Sequence, residues 1–376
     1  MMSSSNMSPY APVRYRDHAW WRYSLEAARA GFVVSNGQIA GNLPDMIMSD
    51  LISPQLRLAK EHFVGHAEFD QVMTQVMAKA MEYRHWVPLA AQYELCGRQI
   101  FDLSDDLVEM LLHTDLGECT FEDWHAPYDA FFVRFGKQET LKVPFEDDFE
   151  YLDGAFVSVT PWSPGCNDLR IKFGFTTVHK DGSGVEMPGF FLDLSPEEQR
   201  LPVIEGFKAS IKRRVASMHA PGDTDSSDPL TECRRGMLEE GLLLIEEGLA
   251  LLVNALFYLE WANKSQAPVK PEPGRDTPAD IVVSWETSPK KRAKLQSRMT
   301  SEGYVVVRLM GKEVTNPGTH RAGAGKCTHW RRGHWRQLRL SGRTWVKPHI
   351  VNAHKPHDDL PGHIYTTGGG DDNVKH

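Results

Sequence analysis

The chain has 376 residues, of which 41% are hydrophobic and 24% are charged, and its formal net charge is −8. This length exceeds the size at which one hydrophobic core stops growing, so we expect more than one domain, and the composition excludes a wholly disordered chain. The N-terminus lacks an apolar run of signal-peptide length, the apolar stretch 249–259 is too short to cross a bilayer, and the five cysteines form no CxxC pair. These features predict a cytoplasmic protein without a membrane span or a disulfide framework.

The charge is divided unevenly along the chain. Residues 290–347 carry 15 Lys and Arg against two acidic residues, whereas residues 1–289 carry 25 against 44. The two parts therefore have net charges of +13 and −19. This asymmetry predicts a basic surface for nucleic acid or another polyanion, held beside an acidic body. Attraction between the two parts of the chain is the alternative interpretation.

The first third of the sequence is predicted to be helical. Residues 17–32 and 54–83 show the apolar spacing of amphipathic helices. Ser104 precedes Asp105, Asp106 and a run of apolar residues, which is the pattern of a helix start. A serine hydroxyl accepts one of the exposed amides there, and carboxylates favour the positive end of the helix.

A group of short strands follows. Residues 130–135, 154–160, 169–178 and 189–194 are rich in aromatic and β-branched side chains and are bounded by turn residues. In the third run apolar and polar side chains alternate, which indicates a half-buried strand. Because no helix separates these strands in the sequence, they predict a central antiparallel sheet.

The longest predicted helix covers residues 231–263. Its leucines are spaced by alternating steps of four and three, which is typical of a coiled-coil seam and would make the helix a homodimer interface. The second half of the helix is apolar all round, which instead describes a helix buried at the centre of one chain. Both interpretations stay open at this point.

The remainder predicts a separate small module. Residues 264–279 are rich in proline and predict a linker, followed by a strand at 281–285, a basic helix at 289–299 and a strand at 304–310. The fold class is therefore predicted as α+β, with a helical N-terminal segment, a central antiparallel sheet packed on the long helix, and a small basic C-terminal α/β module. The predicted boundaries are a body at 1–263, a linker at 264–279, the module at 280–353 and a disordered tail at 354–376.

The most unusual motif contains two His-Trp pairs within a run of arginines, at residues 329–336. In an extended chain its residues would line two alternating faces. Arginine forks clamp phosphates and tryptophan faces stack on bases, so one face is predicted to bind nucleic acid or a phosphate-bearing ligand. With the basic helix, the predicted binding residues are Lys290, Lys291, Arg292, Arg331, Arg332, Trp335 and Arg336. In the alternative, the tryptophans pack the module and the arginines are solvated.

Other kinds of chemistry have weaker support in the sequence. His329 and His334 are candidate acid/base residues of a ribonuclease-type enzyme, because histidine titrates near neutral pH. Cys327 with these histidines does not match the spacing of a standard zinc module. Acidic clusters at 102–106 and 146–153 suit Mg²⁺ ligation or, more commonly, solvated turns. We predict no metal and no cofactor, and whether the protein is an enzyme stays open.

The motif block also resembles a known family pattern. Residues 329–336, His-Trp-Arg-Arg-Gly-His-Trp-Arg, are followed by Thr-Trp-Val-Lys-Pro at 344–348. This arrangement resembles the C-terminal block of a family of uncharacterised bacterial, plasmid and phage proteins. Their pattern is His-Trp-x-Arg-Gly-His-Trp-Arg followed by Ile-Trp-Ile-x-Pro, from which the final strand departs modestly here. The resemblance implies an accessory role in a mobile genetic element and attaches no activity to it.

Three hypotheses of function follow from these observations. The first is a cytoplasmic accessory or regulatory protein that binds nucleic acid or a phosphate ligand through its basic module. The second is the ribonuclease-type enzyme. The third is an interaction or structural protein whose basic module docks on an acidic surface.

Overall fold

A computed structural model describes residues 8–34, 37–39, 43–66, 69–122, 124–145, 148–162, 166, 168–183, 191–217, 229–265, 269–312, 329–331, 333–337 and 343–351. The predicted tail at 354–376 lies outside these residues. The α-helices of the described residues are α1 (Ala11–Arg14), α2 (Ala19–Arg29), α3 (Leu43–Ile47), α4 (Ser53–Phe63), α5 (Phe69–Leu95), α6 (Asp105–Leu112), α7 (Val203–Ser217), α8 (Pro229–Ser265), α9 (Ala279–Thr287) and α10 (Arg292–Glu302). Short 3₁₀ turns lie at Tyr15–Asp17, Glu198–Arg200 and Pro289–Lys291, and a π-helical turn at Met48–Ile52 joins α3 to α4.

The strands fall into one large sheet and a smaller C-terminal group. They are β1 (Ile100–Leu103), β2 (Thr114–Asp115), β3 (Ala130–Arg134), β4 (Lys142–Phe145), β5 (Asp148–Pro161), β6 (Leu169–Val178), β7 (Phe191–Leu194), β8 (Pro271–Pro273), β9 (Val306–Met310), β10 (His329–Arg331), β11 (Gly333–Gln337), β12 (Arg343–Val346) and β13 (His349–Val351). The α+β fold class is confirmed, with helices first and a large sheet at the centre.

The large sheet is mixed rather than purely antiparallel. Its strand order is β7-β6-β5-β3-β1-β9-β8, with β4 also pairing to β5. The hairpin strands β5, β6 and β7 pair antiparallel, as the sequence predicts. The sequence did not predict β1, which lies between β3 and β9 and is parallel to both.

Helices cover both faces of this sheet. Successive residues of a strand point to opposite faces and therefore enter different cores. On β5, Ala155 and Val157 join the core that contains α6, α7 and α8, whereas Phe156 joins the core of the N-terminal helices. On β3, Phe131 and Phe132 are divided in the same way. The sheet is therefore the middle of three layers.

The long helix is confirmed, and its burial decides between the two interpretations of its leucines. Leu249, Leu252, Leu256 and Leu259 are each at most 2% exposed, as are Leu251, Val253 and Phe257 between them. This half of the proposed coiled-coil seam is filled by the chain's own core, so it is not a homodimer interface. The side chains of residues 229–245 lie outside the described part.

Two predictions about residues 264–285 need correction. Residues 281–285 form part of helix α9 and not a strand, because Ile281 and Trp285, four positions apart, bury one helical face. The predicted linker contains β8, which pairs with β9 at the edge of the large sheet. Its two prolines suit an edge strand, since they have no N–H to donate. The large sheet thus takes strands from both sides of the predicted boundary.

Candidate nucleic-acid interface

The motif block supplies β10 and β11, which together with β12 and β13 make up what we call the C-terminal ribbon. Strand β10 pairs with β13, and β11 pairs with β12 so that Trp335 lies opposite Trp345. Strand β11 also pairs in parallel with β2, where His334 is in register with Asp115. The extended conformation predicted for the motif is therefore present.

The close fit of the ribbon depends on Gly333. A Cβ atom at this position would lie 2.6 Å from Pro348 Cδ and 2.8 Å from the carbonyl oxygen of Val346. The Gly333 N–H also donates to the carbonyl oxygen of His113 at 3.0 Å. Glycine thus allows β11 to approach both its partner strand and the end of α6.

The inner face of the ribbon consists of two tryptophans packed on α8. Trp335 and Trp345 are 8% and 5% exposed, and their rings stack at a centroid distance of 6.3 Å with 24° between their planes. Phe257 and Tyr258 of α8 contact these rings edge to face. The ring faces of Trp335 are therefore covered by protein, which corrects the prediction that they stack on bases. The alternative in which the tryptophans pack accounts for both positions.

A buried hydrogen-bond network fixes the orientation of these tryptophans. Trp335 Nε1 donates to Asn254 Oδ1 at 2.9 Å, and Trp345 Nε1 donates to Thr114 Oγ1 at 3.1 Å. Asn254 Nδ2 in turn donates to the carbonyl oxygens of Leu111 and Thr114 at 3.1 and 2.8 Å. Because Asn254 is 1% exposed, these bonds satisfy polar groups that have no access to water. No local pattern indicates that Asn254, in an apolar helix, binds the indole of Trp335, 81 residues later.

The outer face of β11 carries two polar residues of the motif. His334 and Arg336 are exposed and alternate with the buried Gly333 and Trp335, as predicted for a strand. His329 and Arg331 belong to β10, although their side chains lie outside the described part, and Arg332 lies outside it altogether. Of the predicted acid/base pair, only His334 can thus be placed.

The turn at Pro289–Lys291 and the start of α10 form a second cationic surface, which we call the lysine surface and define as Lys290, Lys291 and Lys294. All three side chains are exposed, and no carboxylate of the described residues lies within 4.0 Å of their ammonium groups. The adjacent Arg292 instead contacts Trp285. Its Nε donates to the carbonyl oxygen of Trp285 at 3.2 Å, and its guanidinium lies over the indole ring of the same residue. Arg298 pairs with Glu302 at 2.7 Å. The three lysines therefore form no ion pair with a carboxylate of the described part of the chain.

A cavity of about 300 Å³ opens where the ribbon meets the turn after β2. Its lining residues are Asp115, Leu116, Gly117, Glu118, Cys119, Thr120, His334, Trp335 and Arg343. Gly117 adopts a positive φ of 53°, and its N–H donates to Asp115 Oδ1 at 3.0 Å, which closes the turn. Burial raises the pKa of the Cys119 thiol, so this cysteine is held in its protonated, less nucleophilic form.

Arg343 is one of the residues that line this cavity. Its side chain is 7% exposed, its guanidinium lies 4.2 Å from the ring centroid of Phe257, and Nη2 donates to the carbonyl oxygen of Thr120 at 2.5 Å. Nη1 is 3.9 Å from Glu260 Oε2 and has no hydrogen-bond partner. Nη1 is thus a buried donor without an acceptor, which is rare in native proteins.

One carboxylate of the acidic clusters considered for magnesium, that of Asp102, is engaged within the fold. Asp102 is fully buried and accepts hydrogen bonds from Tyr10 at 2.8 Å and from Arg134 and Arg275 at 2.9 Å each. Its carboxylate therefore joins the N-terminal segment to residues beyond α8. Among the described residues, no group of three or more potential ligands is placed to hold a metal ion.

Lys172, a half-buried lysine, lies on the large sheet. On β6 it is in register with Ser158 of β5 and Asp193 of β7. Burial, together with the nearby Arg170, lowers the pKa of Lys172 to about 8, and Asp193 partly opposes this shift. In the sequence, Lys172 is one of the polar residues that alternate with apolar ones along this strand.

No helix of the described residues is long and apolar enough to span a membrane. The sequence model of the AcrVA2-like family, described as the anti-CRISPR type V subtype A2 family, matches residues 101–353. A crystal structure of AcrVA2 aligns at 13% sequence identity and a TM-score of 0.36, over 90% of this chain and 95% of that one. No curated protein matches the chain. The family match spans α8, the lysine surface, the cavity and the C-terminal ribbon.

Proposed function

The chain belongs to the AcrVA2-like, type V subtype A2 family of anti-CRISPR proteins, and from this premise we propose that it acts in the cytoplasm against a type V CRISPR system by binding nucleic acid through its basic C-terminal module. Family membership makes it an accessory protein of a mobile genetic element, in agreement with the role that the motif block implied. Binding of nucleic acid is the finer part of the proposal.

The observation that carries the finer part is the lysine surface. Three exposed ammonium groups within five residues lack a carboxylate partner among the described residues, so no such ion pair competes with an external anion for them. Phosphate groups along a nucleic acid are such anions, and neutralising them releases condensed counterions. Lysines that were already paired on the surface would gain little from the same contact.

A salt titration tests this proposal directly. We expect the association constant for RNA or DNA to fall steeply as the potassium chloride concentration rises. The variant Lys290→Gln/Lys291→Gln/Lys294→Gln should lower the slope of log K against log salt by about two to three, since each lost phosphate contact removes about 0.7 to 0.9. Arg57→Gln/Lys60→Gln/Lys208→Gln removes the same charge from exposed positions of α4 and α7 and should leave most of the slope unchanged.

A cellular assay links binding to inhibition. In cells that carry a type V CRISPR system, the wild type and the α4/α7 variant should protect an incoming plasmid or phage, whereas the lysine-surface variant should protect it less. Full protection by a lysine-surface variant that no longer binds nucleic acid would refute binding as the route of inhibition. Absence of any binding by the wild type would refute it as well.

A further inference from the structure

We propose that Lys172 is a modification site, at which a small acyl phosphate acylates the side-chain amine while Arg170 binds the phosphate that leaves. The substrate class is a mixed anhydride of a carboxylic acid and phosphoric acid, of which acetyl phosphate is the simplest example. Both residues lie on β6, outside the C-terminal ribbon and the lysine surface. The inference therefore goes beyond the proposed function and does not depend on it.

The amine of Lys172 is unusual because it is half-buried and has no partner. Among the described residues, no acceptor takes a hydrogen bond from it and no carboxylate forms an ion pair with it. Lysines that leave the solvent are normally paired. The Nζ atom is not one of the fully enclosed polar atoms of the fold, so it keeps a contact with solvent. Lys172 thus offers an unpaired nitrogen at the edge of a core.

Arg170 places an oriented guanidinium beside this amine. It lies two positions before Lys172 on β6, so both side chains leave the same face of the strand. Its guanidinium is 4.3 Å from the ring centroid of Trp162, and its Nε is 3.4 Å from Asp193 Oδ2. The two terminal nitrogens of Arg170 form no hydrogen bond with the described residues and are not fully enclosed. Such a pair of N–H groups matches two oxygens of a phosphate.

The surrounding charges favour an anionic reagent. Asp193 of β7 is in register with Lys172, and Arg213 of α7 donates to Asp193 at 3.3 Å and to Glu198 at 2.8 Å. Both carboxylates are thus bonded to Arg213 already. Three cations against two carboxylates leave one net positive charge at the site, and the groups that lack a hydrogen bond are those of Lys172 and Arg170.

The same surroundings make the amine a nucleophile. Burial and the adjacent Arg170 lower its pKa to about 8, and desolvation beside another cation is a common way to activate a lysine. About a quarter of the Lys172 amines are therefore neutral at pH 7.5, against about one in a thousand for an ordinary lysine. Only the neutral amine has the free electron pair that attacks a carbonyl carbon.

The acylation step is balanced without any further reagent. Lys172 Nζ attacks the carbonyl carbon of the acyl phosphate, so that an N–C bond forms and the C–O bond to phosphorus breaks. Phosphate leaves with the electron pair of that bond, and the nitrogen loses its proton to water. The amide product is uncharged, so the cost of holding an ammonium group in a half-buried place is removed.

Acetylation of the full-length protein by acetyl phosphate at pH 7.5 tests the site, with mass spectrometry of its peptides to measure the rate at each lysine. Lys172 should react at least about fivefold faster than the exposed Lys180, Lys208 and Lys212, because its larger neutral fraction outweighs its lower exposure. The preference should disappear in urea, where every lysine has an ordinary pKa.

The variant Arg170→Gln separates phosphate binding from the effect of Arg170 on the amine. It should slow acetylation of Lys172 by acetyl phosphate about tenfold. It should slow acetylation by N-acetoxysuccinimide less, because this uncharged ester has no phosphate to bind. Arg200→Gln is the matched control, since it removes an exposed arginine that pairs with Glu122 and should leave both rates unchanged.

Two results would overturn the proposal. If Lys172 of the folded protein reacts with acetyl phosphate no faster than the three exposed lysines, it is not a preferred acylation site. If Arg170→Gln slows both reagents equally, Arg170 does not bind the leaving phosphate and acts on the amine alone.

Discussion

The C-terminal ribbon and helix α10 are both rich in cations, but they are attached to the protein in different ways. The ribbon inserts Trp335 and Trp345 against α8 and satisfies their indole N–H groups with buried acceptors. Helix α10 rests on a small separate cluster in which Ile281, Trp285 and Met299 are the buried members. Lys290 and Lys291 in the turn before α10, and Lys294 within it, remain exposed to solvent.

This difference shows that the apolar residues between the charges decide what a basic segment does. In β11, alternation places every second side chain against the core, so only half of the described side chains of this strand face outward. In α10, one narrow apolar stripe leaves most of the helix surface free for charge. The ribbon is thus mainly a structural element with a polar outer face, and the helix is the better candidate for phosphate contacts.

The largest effect is expected from Trp335→Ala. Removal of a buried tryptophan should lower the free energy of unfolding by about 3–5 kcal/mol, because it leaves a cavity and strands the Asn254 amide. His334→Ala, one residue earlier on the exposed face, should change it by less than about 0.5 kcal/mol. Urea denaturation of both variants checks this, and equal losses would mean that the ribbon has no distinct inner face.

The variant Asp102→Asn tests whether the segment that leads into α9 and α10 is held in the fold as firmly as the ribbon is. The change removes the buried anion shared by Arg134 and Arg275 and should cost about 3 kcal/mol. Asp105→Asn removes a carboxylate that also contacts Arg275 but is 87% exposed, so it should cost less than about 0.5 kcal/mol. A separate, early melting transition in Asp102→Asn would indicate that this segment unfolds alone.

Gly333→Ala tests how closely the ribbon must pack. The added methyl group would meet a proline ring and a carbonyl oxygen at less than 3.0 Å, neither of which can turn aside. We expect a loss of about 1–3 kcal/mol and a weaker near-ultraviolet circular dichroism signal from the stacked tryptophans. Wild-type stability with an unchanged signal would contradict the close approach of β11 to Pro348.

Lys172 extends the comparison of the two basic segments to a half-buried cation that lies outside both of them. Its pKa of about 8 lies below the ordinary value of 10.5, so the unfolded chain binds more protons between these pH values and the native state gains stability as pH rises through them. Lys172→Met should therefore be more stable than the wild type at neutral pH, with the gap narrowing above pH 8. Lys180→Met, at an exposed site, should show no such pH dependence.

The smallest effect is expected from the lysine-surface variant itself. Because these side chains are exposed, their replacement by glutamine should change the free energy of unfolding by less than about 0.5 kcal/mol. Thermal denaturation checks this. A larger loss would mean that the lysines take part in folding, and reduced nucleic-acid binding could then not be assigned to phosphate contacts.

Local patterns predicted the elements that carry their own signal. Strand β6 has the predicted bounds because its residues alternate, and Ser104 accepts the amide of Leu107 as a helix cap should. Strand β1 was not predicted, because it has only four residues and contains Asp102, whose burial depends on arginines 32 and 173 positions away. The alternation in the motif was also visible in the sequence. No pattern indicated that Trp335 contacts α8 or that residues 115–120 line the cavity. Such contacts depend on tertiary packing, which no local pattern encodes.

The position of β1 also sets an order in which the protein can form. Ser104, directly after this strand, bonds to Gly311, which follows it by 207 residues. On the ribosome, one edge of β1 therefore stays open until most of the chain has been made, and parallel pairing over such a distance is slow because a long loop must close first. The N-terminal helices and the β5–β6 hairpin can assemble earlier from neighbouring residues. The pairing of β9 with β1 is then the step that completes the sheet. The basic helix is synthesised just before β9, so it is already part of the chain when the sheet is completed.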